Sequence, residues 1–295
     1  MRKGYKVLVI IGICLIAAGL TISIITLAIN GFRVNRLLPT NPEESEINRI
    51  EQTITEKVDN IKIEAVEDNV ILMKADDGVF RVLYAERANV KYTFSVTNGT
   101  LKLSRNDVDW SRPGNWLSNL IENIQDGLYG ATRDIIIYLP ETSYKTLELT
   151  SVSGNIVLEE NFSFVNAALT DVSGNITLRG INPTGTLAIA TTSGNIFIEN
   201  VNSGMTTFAA VSGAVTLKNS VFESITGSTV SGEVVLEYIE AENLDFETTS
   251  GDVTGRVREA QDFHCETTSG EISVPTGGTN PWYIETVSGD INITK

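Results

Sequence analysis

The sequence predicts an all-β protein: a parallel β-solenoid of about eight coils of 19–20 residues, preceded by a β-rich cap and one transmembrane helix. Three observations carry that prediction. Eight Ser-Gly pairs recur in register, at Ser153, Ser173, Ser193, Ser212, Ser231, Ser250, Ser269 and Ser288, in steps of 20, 20, 19, 19, 19, 19 and 19 residues. Apolar residues alternate on either side of each pair, and a long uncharged run opens the chain. A fixed period of this size marks stacked units that share one core, whereas a propeller blade needs roughly 40 residues.

Residues 1–6 carry Arg2, Lys3 and Lys6, and residues 7–29 form the uncharged run. That run exceeds the roughly 20 residues that cross a bilayer as a helix, and the roughly 7–15 of a signal-peptide core. Ile13 stands before Cys14 where a lipoprotein would need a small residue. The basic residues at the front place the N-terminus in the cytoplasm and the rest outside, so the chain is expected to be a single-pass cell-membrane protein with an extracellular solenoid.

Residues 30–60, polar and acidic, read as a juxtamembrane stalk. Residues 61–140 read as the cap, with strand-like runs such as VILMKA, VKYTFSV and DIIIYLP. Asp77-Gly78 and Asn98-Gly99 mark hairpin turns between them, and DIIIYLP leads into the first repeat. An interruption near 115–128 spaces Leu117, Leu120, Ile121, Ile124 and Leu128 as one helix face. That face either packs on the solenoid or, with Trp116, Leu120 and Ile124, meets a partner.

Residues 141–295 are the repeats. Four and six places before each serine, and three and five places after it, the residues are mostly apolar, as in Leu147, Leu149, Ile156 and Leu158. Spacings of two put them on one face of an extended strand, so each repeat holds two short strands joined at the Ser-Gly corner. Gly154, Gly174, Gly194, Gly213, Gly232, Gly251, Gly270 and Gly289 are expected to supply a positive φ there. Two places before the serine runs a mostly hydroxyl ladder from Ser151 to Thr286, expected to hydrogen-bond along the column. Two places after it, Asn155, Asn175 and Asn195 suggest an amide ladder. Glu233, Asp252, Glu271 and Asp290 continue that column as a hydrated acidic ridge or as calcium ligands.

Residues 141–295 hold 20 acidic and 6 basic residues, net −14 of the chain's −15, which excludes nucleic acid as a partner. Cys14 and Cys265 cannot form a disulfide framework, and His264 is the single histidine, too isolated for a zinc site. No nucleophile elbow, P-loop or dinucleotide motif occurs, and no cofactor is expected. The chain stops at Lys295, directly after the eighth strand. The reading there is an uncapped last coil, with Trp282 and Tyr283 as partner surface and a homo-oligomer through this C-terminal coil as one outcome.

The IIIYLP run entering the repeats and the recurring (S/T)xSG(N/D/E)(I/V) unit resemble the bacterial putative-adhesin family of β-strand-repeat proteins, known mainly as a domain of unknown function. The resemblance runs from about Ile61 to the C-terminus. It implies a cell-surface, non-enzymatic protein linked to adhesion or envelope stress, and it brings no catalytic residues. The expected function is therefore a membrane-anchored extracellular interaction module for a protein or surface-polymer partner. The alternative is a β-helix enzyme acting on polysaccharide through a carboxylate or calcium-assisted site, which would need out-of-pattern acids and a groove.

Overall fold

The computed structural model describes residues 47–87, 90–106, 134–140, 143–159 and 161–295. The expected span 7–29 and the helix near 115–128, with Trp116, Leu120 and Ile124, lie outside them. Among the described residues no helix is long and apolar enough to cross a membrane.

The described body is all-β, built from two mostly parallel sheets over one continuous core that runs from Ile54 to Ile293. Each repeat gives the first sheet a long strand before its serine and the second sheet a short strand after it. In the Ser173 repeat these are Ser163–Asp171 and Ile176–Arg179. Their inward residues, Phe164, Ala167, Leu169, Ile176 and Leu178, are buried, and their outward neighbours are exposed or half-buried. Successive repeats pair residue for residue, Leu169 with Ile189 and Ile176 with Ile196, so like columns stack. The period-two pattern thus becomes two apolar faces that only a neighbouring layer can cover.

The repeat corners differ from expectation. None of the eight Ser-Gly glycines has a positive φ. Each is required for close approach: a Cβ on Gly174 would fall under 3.0 Å from the carbonyl oxygen of Gly154, and Gly194 sits on Gly174 in the same way. The left-handed residues lie at the opposite corner, seven places after the serine, at Gly180, Asn200, Asn219 and Tyr238. Glycine and asparagine suit that conformation; tyrosine adopts it only at a cost.

The hydroxyl ladder is mainly local, with axial bonds only at some layers, as where Thr267 Oγ1 donates to the Gly289 carbonyl at 3.1 Å. Thr191 Oγ1 accepts the Gly194 amide at 3.0 Å, and Thr229, Thr248 and Thr286 do the same for Gly232, Gly251 and Gly289. The serine supplies the link between layers. The Ser250 amide donates to the Val230 carbonyl at 2.9 Å and its Oγ donates to the same oxygen at 3.2 Å.

Layer order departs from chain order at both ends. Strand Asn60–Glu64 pairs with Ser143–Thr150 on one side and Thr100–Arg105 on the other, while Asn69–Lys74 lies between Ile156–Leu158 and Asp134–Leu139. The DIIIYL strand therefore does not adjoin the first repeat; an earlier coil is tucked between them. Asp77-Gly78 likewise does not close a hairpin, because Asp134–Leu139 separates Asn69–Lys74 from Arg81–Glu86. Asn98-Gly99, both at positive φ, does close one, between Tyr92–Thr97 and Thr100–Arg105. Antiparallel strands Arg81–Glu86 and Tyr92–Thr97 close this end of the stack. Asn48–Thr53, expected in the stalk, pairs with Arg81–Glu86 as the edge strand.

At the far end the last coil in sequence is likewise not the last in space. Pro281–Thr286 pairs with both Glu240–Thr248 and Asp262–Thr267. Ile291–Thr294 pairs with both Val253–Arg256 and Ile272–Ser273. The C-terminal coil is thus interior, and the Ser269 coil forms the open edge. The outgoing segment 257–261 spans two layers, and the return loop 274–280 crosses it. Gly278, at φ 113°, makes the crossing: a Cβ there would strike the Ala260 carbonyl and Gln261 Cα.

Candidate functional site at the open end of the stack

Most polar groups singled out from the sequence turn out to hold the stack together. Asn155 Oδ1 accepts the Asn175 amide, Asn175 Oδ1 the Asn195 amide and Asn195 Oδ1 the Ala214 amide, each at 2.9 Å. Between these three asparagines the ladder therefore runs side chain to backbone, not amide to amide. It also extends to Asn69, whose Oδ1 accepts from Asn155 and whose Nδ2 donates to Asp134. The four acidic positions stack in the swapped order Glu233, Asp252, Asp290, Glu271, and the two aspartates follow the same geometry. Asp252 Oδ1 accepts the Asp290 amide and Asp290 Oδ1 the Glu271 amide, each at 2.8 Å. Among the described residues, no three His, Cys, Asp or Glu side chains converge as a metal site.

Six places after the serine runs a column with no counterpart in the sequence reading: Glu159, Arg179, Glu199, Lys218, Glu237, Arg256. Its charges alternate layer by layer. Arg179 bridges Glu159 and Glu199, and Lys218 lies 3.8 Å from Glu199 and 3.6 Å from Glu237. The signal was present as a fixed offset from each serine and was hidden by the net acidity.

Trp282 is a core residue, not partner surface. It is fully buried, and its Nε1 donates to the Ala241 carbonyl at 3.1 Å. Tyr283 alternates outward, 44% exposed, stacked on His264 with ring centroids 4.8 Å apart. His264 Nε2 lies 3.0 Å from Asp262 Oδ2, so the single histidine is a surface side chain with structural neighbours.

What remains open is the Asp262–Ser273 coil. Both its strands pair on one side only, among the described residues. Phe263, Cys265 and Val274 point to the core yet are only half buried, and Ile272 is 44% exposed. Their equivalents one layer in, Trp282, Ile284, Ile291 and Ile293, are buried. Burial pushes the Cys265 thiol up to about 11, so it is a weak nucleophile. A cleft of about 270 Å³ near the capped end, lined by Lys74, Pro140, Ser143, Asn161 and Phe162 among others, brings together an amine, hydroxyls and an amide.

Known proteins resemble this arrangement to different degrees. No curated protein matches the chain. A crystal structure of a putative adhesin from Parabacteroides merdae is similar at 10% identity and a TM-score of 0.48, covering 85% of this chain and 98% of that one. A putative lipid binding protein from Parabacteroides distasonis is similar at 15% identity and a TM-score of 0.46, covering 84% and 97%. A putative adhesin from Bacteroides fragilis is similar at 13% identity and a TM-score of 0.43, again covering 84% and 97%. A family model, Toastrack DUF4097, a domain of unknown function, matches residues 58–294. That span takes in both closing strands of the capped end, every Ser-Gly corner and the tucked C-terminal coil, and the chain belongs to the Toastrack DUF4097 family.

Proposed function

We propose that this chain is a membrane-anchored, non-enzymatic interaction module, held by residues 7–29 with residues 1–6 in the cytoplasm and the repeats outside. One observation carries the reading: among the described residues the stack is closed by antiparallel strands at one end and open at the other, with strand edges that pair on one side only and half-buried apolar side chains. An exposed edge is a template for another chain, and the acids along it select which chain can add. The repeated Ser, Thr and Asn side chains support the same reading, because they are engaged in holding corners and layers and not in a reactive pair.

The test is crosslinking and capture of the full-length protein from its own membranes, with a chain reversed in charge at Glu266 and Glu271 as control. A protein or surface polymer retained in fixed stoichiometry by the first and lost by the second supports the module. Hydrolysis of an acidic polysaccharide, abolished by Asp252→Asn or Glu271→Gln, would replace it with an enzyme. Protease added to intact cells should remove the repeats; their protection would overturn the orientation.

A further inference from the structure

We propose that the open end binds an extended, basic segment of a partner protein as an added strand along Asp262–Thr267. This deepens the interaction-module reading and rests on it. The argument begins with the pattern of charge along the stack. Three places before the serine, the outward column reads Thr150, Thr170, Ala190, Ala209 and Ser228, then Glu247, Glu285 and Glu266 in layer order. On the other sheet, the column two places after the serine reads Asn155, Asn175, Asn195 and Ala214, then Glu233, Asp252, Asp290 and Glu271. Both columns are neutral through the middle of the stack and acidic towards the open edge.

Neighbouring layers lie about 4.8 Å apart, so each acidic column is a run of directly opposed like charges, which destabilises a sheet. A cation placed one layer further out beside Glu266 would relieve the first run, and one beside Glu271, past the corner on the other sheet, the second. That layer is the position an added strand would occupy. Its outward side chains would lie beside Asp262, His264 and Glu266, and its inward ones over Phe263 and Cys265, whose burial is incomplete. The edge therefore asks for alternating basic and apolar residues in an extended segment. Backbone pairing supplies affinity in this mode, and the alternate side chains supply selectivity. A second copy of this chain would bring the same acidic edge and does not complement it.

The probe is a fluorescent peptide of alternating lysine and valine, titrated into the full-length chain in detergent, with Cys14→Ser so that Cys265 is the sole thiol. Saturable binding is expected, weakened about tenfold or more by Glu266→Lys with Glu271→Lys. Alkylation of Cys265 should slow as the peptide saturates the edge. If the charge-reversed chain misfolds, Glu266→Gln with Glu271→Gln gives the same comparison at smaller amplitude.

Equal affinity for a glutamate–valine peptide, indifference to the charge substitutions, or unchanged Cys265 alkylation would each overturn the proposal. So would a concentration-dependent dimer in sedimentation that the same substitutions abolish, because the edge would then belong to a second copy. A membrane or surface partner that still crosslinks to the chain when the peptide fails to bind would leave the module standing and this proposal fallen.

Discussion

Asp171 stands where Thr191, Thr229, Thr248 and Thr286 stand in other repeats, and it does their work with a charge. Its carboxylate accepts the Gly174 amide in a site that is 2% exposed. Burial raises its pKa from 3.8 to about 6, against the lowering effect of hydrogen bonds from Gly174, Ser173 and Ser151. The folded chain therefore holds this proton more tightly than the unfolded one. The associated stability is fully present below about pH 4 and is lost as pH rises through about 6. Replacing Asp171 with Thr keeps the acceptor and removes the charge. Stability at pH 7 should rise by about 1–2 kcal/mol, and the gain should vanish near pH 4. Urea melts of both chains at those two pH values check it. A gain independent of pH would mean that packing, not charge, separates the two residues. The period alone identified the position, but only burial showed that the aspartate is the costly member of the column.

The element scale is governed by columns in which a defect in one layer is filled from the next. Four places before the serine, the core column passes through Phe208, Gly227 and Phe246. The Phe208 ring occupies the space a Gly227 side chain would need, and it meets Phe246 edge-on with centroids 5.1 Å apart. In the sequence, Gly227 is a gap in an apolar pattern. In the stack it is the small partner between two large ones, as close packing demands. Gly227→Ala should cost about 2–3 kcal/mol by overpacking, more than a strand glycine normally loses. Adding Phe208→Leu should recover at least half of that loss. Thermal melting of the two single variants and the double variant measures the coupling, and simple additivity would refute the compensation. The same pattern of large and small was readable as residue types, but not as contacts. The offset between layers needed the pairing register to connect it.

The whole-molecule question is layer order. Steps of 19 residues run unbroken through Ser250, Ser269 and Ser288, so nothing in the spacing marks the swap. A pair of engineered cysteines does mark it. Asp252→Cys with Asp290→Cys should form a disulfide on oxidation, because these residues sit in adjacent layers about 4.8 Å apart. Asp252→Cys with Glu271→Cys should not, being two layers apart and beyond the roughly 7 Å limit. The background chain carries Cys14→Ser and Cys265→Ser, and non-reducing electrophoresis after mild oxidation reads the result. Bridging in the second pair and not the first would restore chain order. The consequence for function is direct. The edge offered to a partner belongs to Asp262–Ser273, not to the C-terminal strand, and Trp282 belongs to the core.

By itself the sequence determined the all-β class, the period, the two apolar faces of each repeat and the acidic bias of the repeats. These follow from local rules: alternation sets the faces, and a constant step sets the stack. Tertiary structure alone decided which coil lies next to which, which corner needs glycine for space and which for φ, and where the stack ends. The physical reason is that equivalent repeats offer equivalent hydrogen bonds in either order, so the ladder does not choose between them. Apolar burial does choose. Trp282, Ile284, Ile291 and Ile293 make a larger inward set than Phe263, Cys265, Ile272 and Val274, and the larger set gains more from being covered on both sides. The Gly277-Gly278 loop makes the return possible, and the less apolar coil is left at the edge, where its acids meet solvent.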